Sequence, residues 1–349
     1  MSKYHVVFLC FVFTLIGLPS ASATPIPPGG VVYVDPKNGN NANASAFCPQ
    51  TAPCADLNTA LSVATSGSYV FILSGGIFGP IVLTGEITIV GTDLNERTII
   101  LADPTAQVGC IGHLPGSCGF TNNGYAVEVD AGGHGVTIRH VDMANMCPST
   151  TGGALKLTSG GALRLSYDIT EGCGASAAFQ IYPNNTSGHA EVFMNNSEAS
   201  GDGTTTGAIE VKPSGNTSVV LQFDQLQVRD AFFGIRTDGS LLSNPSDIIS
   251  TTVSNSNFFN LNGAAMNAFS TAGTGTVHAT FDTTKILNAL VGLKANGPLS
   301  FVVLTNNTVT GSSTGIQQLN SATVQTSGNN TIRNNGTQIS GTLTPAQLN

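Results

Sequence analysis

The sequence predicts an all-β solenoid, a right-handed parallel β-helix with a short N-terminal capping helix. A small residue followed by a short alternating run recurs eight times between Gly124 and Asn320. The copies start roughly 23 to 31 residues apart, a period typical of solenoids. Within each copy, apolar and polar residues alternate with the period of two that strands have. Charged residues are only 9% of the chain, and no segment of the repeats has helical spacing.

Each repeat contains two or three short strands separated by turns of Gly, Asn, Ser or Thr. The copy at Gly207 reads GAIEVK and is followed by VVLQFDQLQV. One such unit cannot bury its apolar side chains alone and must stack on the next unit. The hexapeptide period of left-handed β-helices is absent, which leaves the right-handed type.

The chain divides into three predicted segments. Residues 1–23 resemble a secretory signal, with an apolar run and an A-x-A site at Ala21 to Ala23. Residues 24–68 contain the strand VVYVDP, a polar loop and the helix DLNTALSVA, with Asp56 as N-cap and Leu57, Leu61 and Ala64 as its apolar side. Residues 69–349 form about ten coils.

The first segment predicts export to the periplasm, the cell surface or the medium. Its apolar run is too short to span a bilayer, and no later segment approaches the required length. We therefore expect no membrane span in the mature chain.

Six cysteines remain once the signal segment, which contains Cys10, is set aside. An even number in an exported chain favours disulfides over metal ligation, and no spacing suggests zinc. Cys147 and Cys173 lie one coil apart, an offset that also places Asp142 on Asp168, and stacked coils are close enough for a disulfide. Short loops favour the pairs Cys48 with Cys54 and Cys110 with Cys118.

Several segments resemble secreted bacterial β-helix proteins of the pectin lyase-like superfamily. They are VYVDP, CPQTAPCADLNTALSVA and YVFILSGGIFGPIVLTGEITIVG near the start and TSGNNTIRNNGTQISGTLTP near the end. The resemblance covers nearly all of the mature chain and implies the right-handed β-helix fold. It implies no single activity, because this fold supports lyases, hydrolases, adhesins and proteins without catalysis.

One outward column is predicted along the repeated strand. Its members are Glu128, Lys156, Gln180, Glu210, Arg236, Asn267, Lys294 and Gln317. Neighbours in the column lie one strand apart, so Glu128 can pair with Lys156 and Glu210 with Arg236. The column is either a solvated face of alternating charge or a polysaccharide groove.

A second column falls in the turn that follows. It contains Asn196, Gln225, Asn255, Thr283 and Asn306, with His140 at its head. Stacked amides hydrogen-bond along such arrays, so we expect a structural ladder there.

Four residues in adjacent coils are the candidates for a catalytic site: Asp130, Arg139, Asp142 and Asp168. Hydrolysis of a glycosidic bond needs two carboxylates flanking it, and a lyase needs a base beside carboxylates that hold calcium. Calcium is expected only in that lyase alternative, and no other cofactor or metal is indicated.

The charge composition argues against a nucleic-acid-binding function. Lys and Arg number 12 against 20 Asp and Glu, which disfavours a nucleic-acid partner. The sequence therefore favours an exported, non-catalytic β-helix protein of the cell envelope or extracellular space that contacts polysaccharide along the outward column. The alternative is a polysaccharide-degrading enzyme, a pectate lyase-like protein before a hydrolase, with the four candidates as its site.

Overall fold

A computed structural model describes residues 29–92, 96–102, 124–145, 152–172 and 177–346. These residues form the predicted right-handed parallel β-helix, in which each strand pairs in parallel with its equivalents in neighbouring coils. Right-handed winding is the hand that parallel connections favour, because it follows the twist of the strands. Each coil crosses three faces, called A, B and C here, in that order.

Face A is a sheet of 12 strands. They are β1 (Val31–Val34), β2 (Ser68–Ile72), β5 (Ile87–Val90), β8 (Val136–Arg139), β11 (Gly161–Ser166), β14 (Asn184–Asn195), β17 (Ser214–Asp224), β20 (Ile248–Ser254), β22 (Thr276–Asp282), β24 (Ser300–Thr305), β27 (Thr323–Thr326) and β30 (Leu343–Pro345). Each of the ten strands from β2 to β27 is followed along the chain by strands of faces B and C, whereas β1 and β30 stand at the two ends of face A.

Faces B and C form one sheet of 18 strands, because β21 (Asn257–Phe269) and β23 (Lys285–Asn296) run through both. Face B also contains β3 (Gly76–Phe78), β6 (Thr98–Leu101), β9 (Asp142–Ala144), β12 (Ile169–Glu171), β15 (Glu198–Ser200), β18 (Gln227–Ala231), β25 (Thr308–Thr310) and β28 (Thr331–Ile332). Face C contains β4 (Ile81–Leu83), β7 (Val127–Val129), β10 (Leu155–Leu157), β13 (Ala177–Ile181), β16 (Gly207–Val211), β19 (Ile235–Asp238), β26 (Thr314–Leu319) and β29 (Thr337–Ser340).

The core fills the space between the three faces with stacked apolar side chains. On face A, Ile138, Leu165 and Met194 lie in register in successive coils and are at most 2% exposed. Burying a side chain of this size contributes about 1.5–3 kcal/mol. Because inward and outward side chains alternate, the same strands leave their polar residues on the outer surface.

The N-terminal helix lies where the sequence predicts it. After a 3₁₀ helix (Asn41–Ala46), helix α1 (Leu57–Val63) begins at Asp56, whose carboxylate accepts a hydrogen bond from Thr59 N at 2.9 Å. Leu57 is buried, and Leu61 and Ala64 pack half-buried against the core. The predicted N-cap and apolar side are confirmed.

One predicted disulfide lies in the described residues. Cys48 and Cys54 are bonded and fully buried.

Strand β1 pairs with β2, so face A begins within the predicted N-terminal segment. In the described part of the chain, no helix has the length and apolar character that crossing a membrane would require.

Candidate functional site

The predicted outward column exists and runs along face C. Strand pairing places Glu128 beside Lys156 and Glu210 beside Arg236 in neighbouring coils. All the predicted members follow in unbroken register: Glu128, Lys156, Gln180, Glu210, Arg236, Asn267, Lys294 and Gln317. Period-two alternation is therefore enough to predict which residues share this face.

A second outward column, which the repeated runs alone do not predict, lies two residues further along each strand. Backbone hydrogen bonds continue the register through Thr158, Tyr182 and Lys212, each N–H bonding a carbonyl one coil away. Asp130 precedes them and Asp238 follows them at the same position. Extending the alternation by two residues beyond each repeated run would have found this column.

The two columns border an open groove with a volume of about 720 Å³. Its lining residues are Asp130, Lys156, Thr158, Tyr182, Asn184, Glu210, Lys212, Ser214 and Leu241. Cations, carboxylates, an amide, hydroxyls and an aromatic ring thus face the same space.

The floor of the groove is half-buried rather than freely solvated. The side chains of Glu128 and Glu210 are 16% and 14% exposed, and Gln180 is 2% exposed. Tyr125 accounts for part of this burial, because its hydroxyl donates to Gln180 Oε1 at 2.7 Å and its ring centroid lies 4.9 Å from Lys156 Nζ. Charged groups on this floor therefore interact more strongly than they would in open solvent.

Opposite charges alternate along the floor and pair as predicted. Lys156 Nζ lies 3.8 Å from Glu128 Oε1, and Arg236 Nη1 lies 3.6 Å from Glu210 Oε1. In the second column, Asp238 Oδ2 lies 3.4 Å from Arg236 Nη2. The groove therefore presents fixed donors and acceptors with nearly balanced charge.

Tyr182 is a hydrogen-bond donor in the groove. Its hydroxyl donates to Glu210 Oε2. Burial raises the pKa of Tyr182 far above its ordinary value, and the hydrogen bond to Glu210 raises that pKa further. The phenol consequently stays protonated and is unsuited to act as a general base.

The four catalytic candidates are divided among the faces of the coil. Asp130 lines the groove on face C, Arg139 ends β8 on face A, and Asp142 on face B accepts a hydrogen bond from Arg97 Nε. The predicted stacking of Asp142 on Asp168 is wrong, because Asp142 pairs with Ile169. The coil is one residue longer at this point than the assumed offset.

Asp168 is fully buried at the corner between faces A and B. Its Oδ1 accepts a hydrogen bond from Val141 N and its Oδ2 one from Ser166 N, each at 2.8 Å. Burial raises the pKa of this carboxyl well above its ordinary value. The carboxyl is committed to backbone donors and holds the turn.

The predicted turn ladder is present at the same corner. Every member has a positive φ: His140, Asn196, Gln225, Asn255, Thr283 and Asn306. Asn255 Nδ2 donates to Asp224 Oδ1 at 2.8 Å, and Asn306 Nδ2 donates to Asp282 Oδ1 at 3.0 Å. Hydrogen bonds from amides to carboxylates therefore support the ladder, together with an amide–amide bond from Asn329 Nδ2 to Asn306 Oδ1. Tyr167, which the repeats do not predict as a member, occupies the position between His140 and Asn196.

Other predicted groups fall outside the described residues. Cys110, Cys118, Cys147 and Cys173 lie there, so their pairings stay predictions. Within the residues that the structure describes, no three His, Cys, Asp or Glu side chains are grouped to hold a metal ion.

Comparison with known proteins finds similarity in structure alone. No protein-family model and no curated protein matches the sequence. An alginate lyase from Paenibacillus sp. str. FPU-7 aligns over 90% of this chain and 99% of its own, with 14% identity and a TM-score of 0.49. XylC in complex with xylose aligns over 82% and 69%, with 11% identity and a TM-score of 0.48. Pectate lyase Pel9A aligns over 87% and 79%, with 13% identity and a TM-score of 0.41.

Proposed function

We propose that this chain is an exported β-helix protein that binds polysaccharide along the face C groove without cleaving it. The observation that carries the proposal is the unbroken, half-buried column from Glu128 to Gln317 beside an open groove. Stacked coils repeat about every 4.8 Å, so donors and acceptors recur along a straight line. A polymer of similar units can use such a line better than a compact ligand can.

The groove chemistry matches sugar hydroxyls. Lys156, Lys212 and the Asn184 amide supply donors, while Asp130 and Glu210 supply acceptors. Each hydroxyl can both donate and accept, so a lining of mixed sign suits it. The exposed side chain of Leu241 adds an apolar contact for the C–H face of a sugar ring.

The pairing of charges supports binding over cleavage. An acid–base pair needs groups with separated pKa values that are free to exchange protons with substrate. Here Glu128 and Glu210 each face a cation, and Glu210 also accepts from Tyr182. The enzyme alternative, a polysaccharide lyase using Asp130, Arg139, Asp142 and Asp168, with calcium, would need residues from three faces.

Export belongs to the proposal. It rests on the signal-like residues 1–23 and on the buried disulfide between Cys48 and Cys54, since disulfides persist in oxidising compartments. In this proposal the partner is polysaccharide and not nucleic acid, because acidic residues outnumber basic ones.

The test is affinity electrophoresis through gels containing pectate, alginate, xylan or mixed-linkage glucan. We expect at least one polysaccharide to retard the wild type, and Lys212→Ala to weaken that retention about tenfold through loss of a charge-assisted hydrogen bond. Lys285→Ala, an exposed lysine on face B, is the matched control and should behave as wild type. Absence of retardation in every gel, or equal loss in both variants, would contradict the proposal.

A further inference from the structure

A second cleft lies at the corner between faces A and B, apart from the groove on face C. It has a volume of about 510 Å³. Its lining residues are Tyr167, Asp168, Ile169, Asn196, Ser197, Glu198, Gln225, Gln227, Asn255 and Asn257. Half of these residues carry amide side chains, which lie in two parallel rows: Asn196, Gln225 and Asn255 in one, Gln227 and Asn257 in the other.

An aromatic platform closes one end of this cleft. The rings of Tyr167 and His140 stack in adjacent coils, with centroids 4.9 Å apart and an angle of 2° between their planes. Tyr167 is 57% exposed although its ring packs on His140. The next position in the column is Asn196, a shorter side chain, so the second face of the Tyr167 ring is turned toward the cleft.

The amides in the cleft are available to a ligand. Within the described residues, the side chains of Gln225, Gln227 and Asn257 form no hydrogen bond to other protein groups. Gln225 and Gln227 are exposed, whereas Asn257 is half-buried. Each amide offers two donors and one acceptor oxygen, the combination that vicinal hydroxyls require.

The charges around the cleft disfavour an anionic ligand. Its lining contains no lysine or arginine. Glu198 is a half-buried acid in the lining, and it pairs with Arg229, which also contacts Asp230. Within the lining, a uronate would meet the Glu198 carboxylate and no cation, because the in-register Lys285 lies one coil beyond Asn257. A neutral sugar would meet no such repulsion.

We propose that this cleft is a second binding site, for a neutral glycan chain lying parallel to the solenoid axis. One sugar ring stacks on the free face of Tyr167, and the following rings hydrogen-bond to the amides of Gln225, Gln227 and Asn257. Rows of amides repeating about every 4.8 Å favour such a polymer over a globular partner. The site is independent of the face C groove and takes its ligand by different residues.

The chain contains no tryptophan, so a single introduced tryptophan would report ligand binding at its own position by fluorescence. Tyr167→Trp keeps a stacking surface and introduces a sole tryptophan at the cleft. We expect its emission to change saturably on titration with xylohexaose, cellohexaose, mannohexaose or maltohexaose, and not with oligogalacturonate. Tyr69→Trp, which replaces an exposed tyrosine on face A, is the matched control and should not respond.

Two further variants in the Tyr167→Trp background locate the ligand. Gln225→Ala should weaken the titration about 3- to 10-fold, the effect of one lost hydrogen bond. Lys212→Ala should leave the titration unchanged. The experiment therefore tests binding at this cleft separately from binding in the face C groove. The proposal would be overturned if none of the four neutral hexasaccharides changes the emission. It would also be overturned if Gln225→Ala leaves the titration unaltered.

Discussion

At the scale of single residues, Asp168 shows how position decides the chemistry of a carboxyl group. Its two oxygens accept hydrogen bonds from Val141 N and Ser166 N, which on their own would lower its pKa. Complete burial outweighs them and raises the pKa well above 3.8. The folded chain therefore binds this proton more tightly than the unfolded chain does.

This shift predicts a pH dependence with a definite sign. The contribution of Asp168 to the free energy of unfolding is fully present below about pH 4 and is lost as pH rises through the folded-state pKa. Asp168→Asn cannot titrate and should remove that slope. At acidic pH, Asp168→Asn should also lower the free energy of unfolding by about 1–3 kcal/mol, because the new amide nitrogen faces a backbone N–H and cannot accept its hydrogen bond.

Urea denaturation of wild type and Asp168→Asn at stepped pH measures the difference directly. The gap in free energy of unfolding should narrow as pH rises above about 4. Curves that stay parallel over the whole stable range would show that the Asp168 pKa is not raised by folding.

At the scale of elements, the turn between faces A and B is held by an inner row of buried polar groups as well as by the exposed ladder. Asn307 is 2% exposed. Its Nδ2 donates to Phe281 O and its Oδ1 accepts from Thr284 N, both at 2.9 Å. Its own backbone N–H donates to Asn330 Oδ1 at 2.8 Å in the next coil.

Adjacent asparagines in this turn should differ sharply on substitution. Asn307→Ala removes the partner of the buried Thr284 N–H and one donor to Phe281 O, and should cost about 1–3 kcal/mol. Asn306→Gly is the control. Asn306 is exposed and has a φ of 56°, which glycine adopts freely, so we expect a change within about 0.5–1 kcal/mol. Equal shifts in the denaturation midpoints of the two variants would contradict this account of the turn.

At the scale of the whole molecule, the sequence predicts the architecture better than the site. The repeats predict the coils, the inward apolar columns and the register from Glu128 to Gln317, because period-two alternation is a property of the strand itself. They do not predict that Tyr125 covers Gln180, because that contact joins residues from different coils. The stacking of Asp142 on Asp168 failed for a related reason, since turn length varies from coil to coil.

The central claim is that the face C groove holds a polysaccharide chain and leaves it intact. The most direct measurement is size-exclusion chromatography with light scattering on the wild type, incubated for hours with the polysaccharide that retards it most. We expect protein and polysaccharide to co-elute with the molar mass of the polysaccharide unchanged, and we expect Lys212→Ala to co-elute more weakly than the wild type. A molar mass that falls with time in the presence of wild type, with or without calcium, would contradict it.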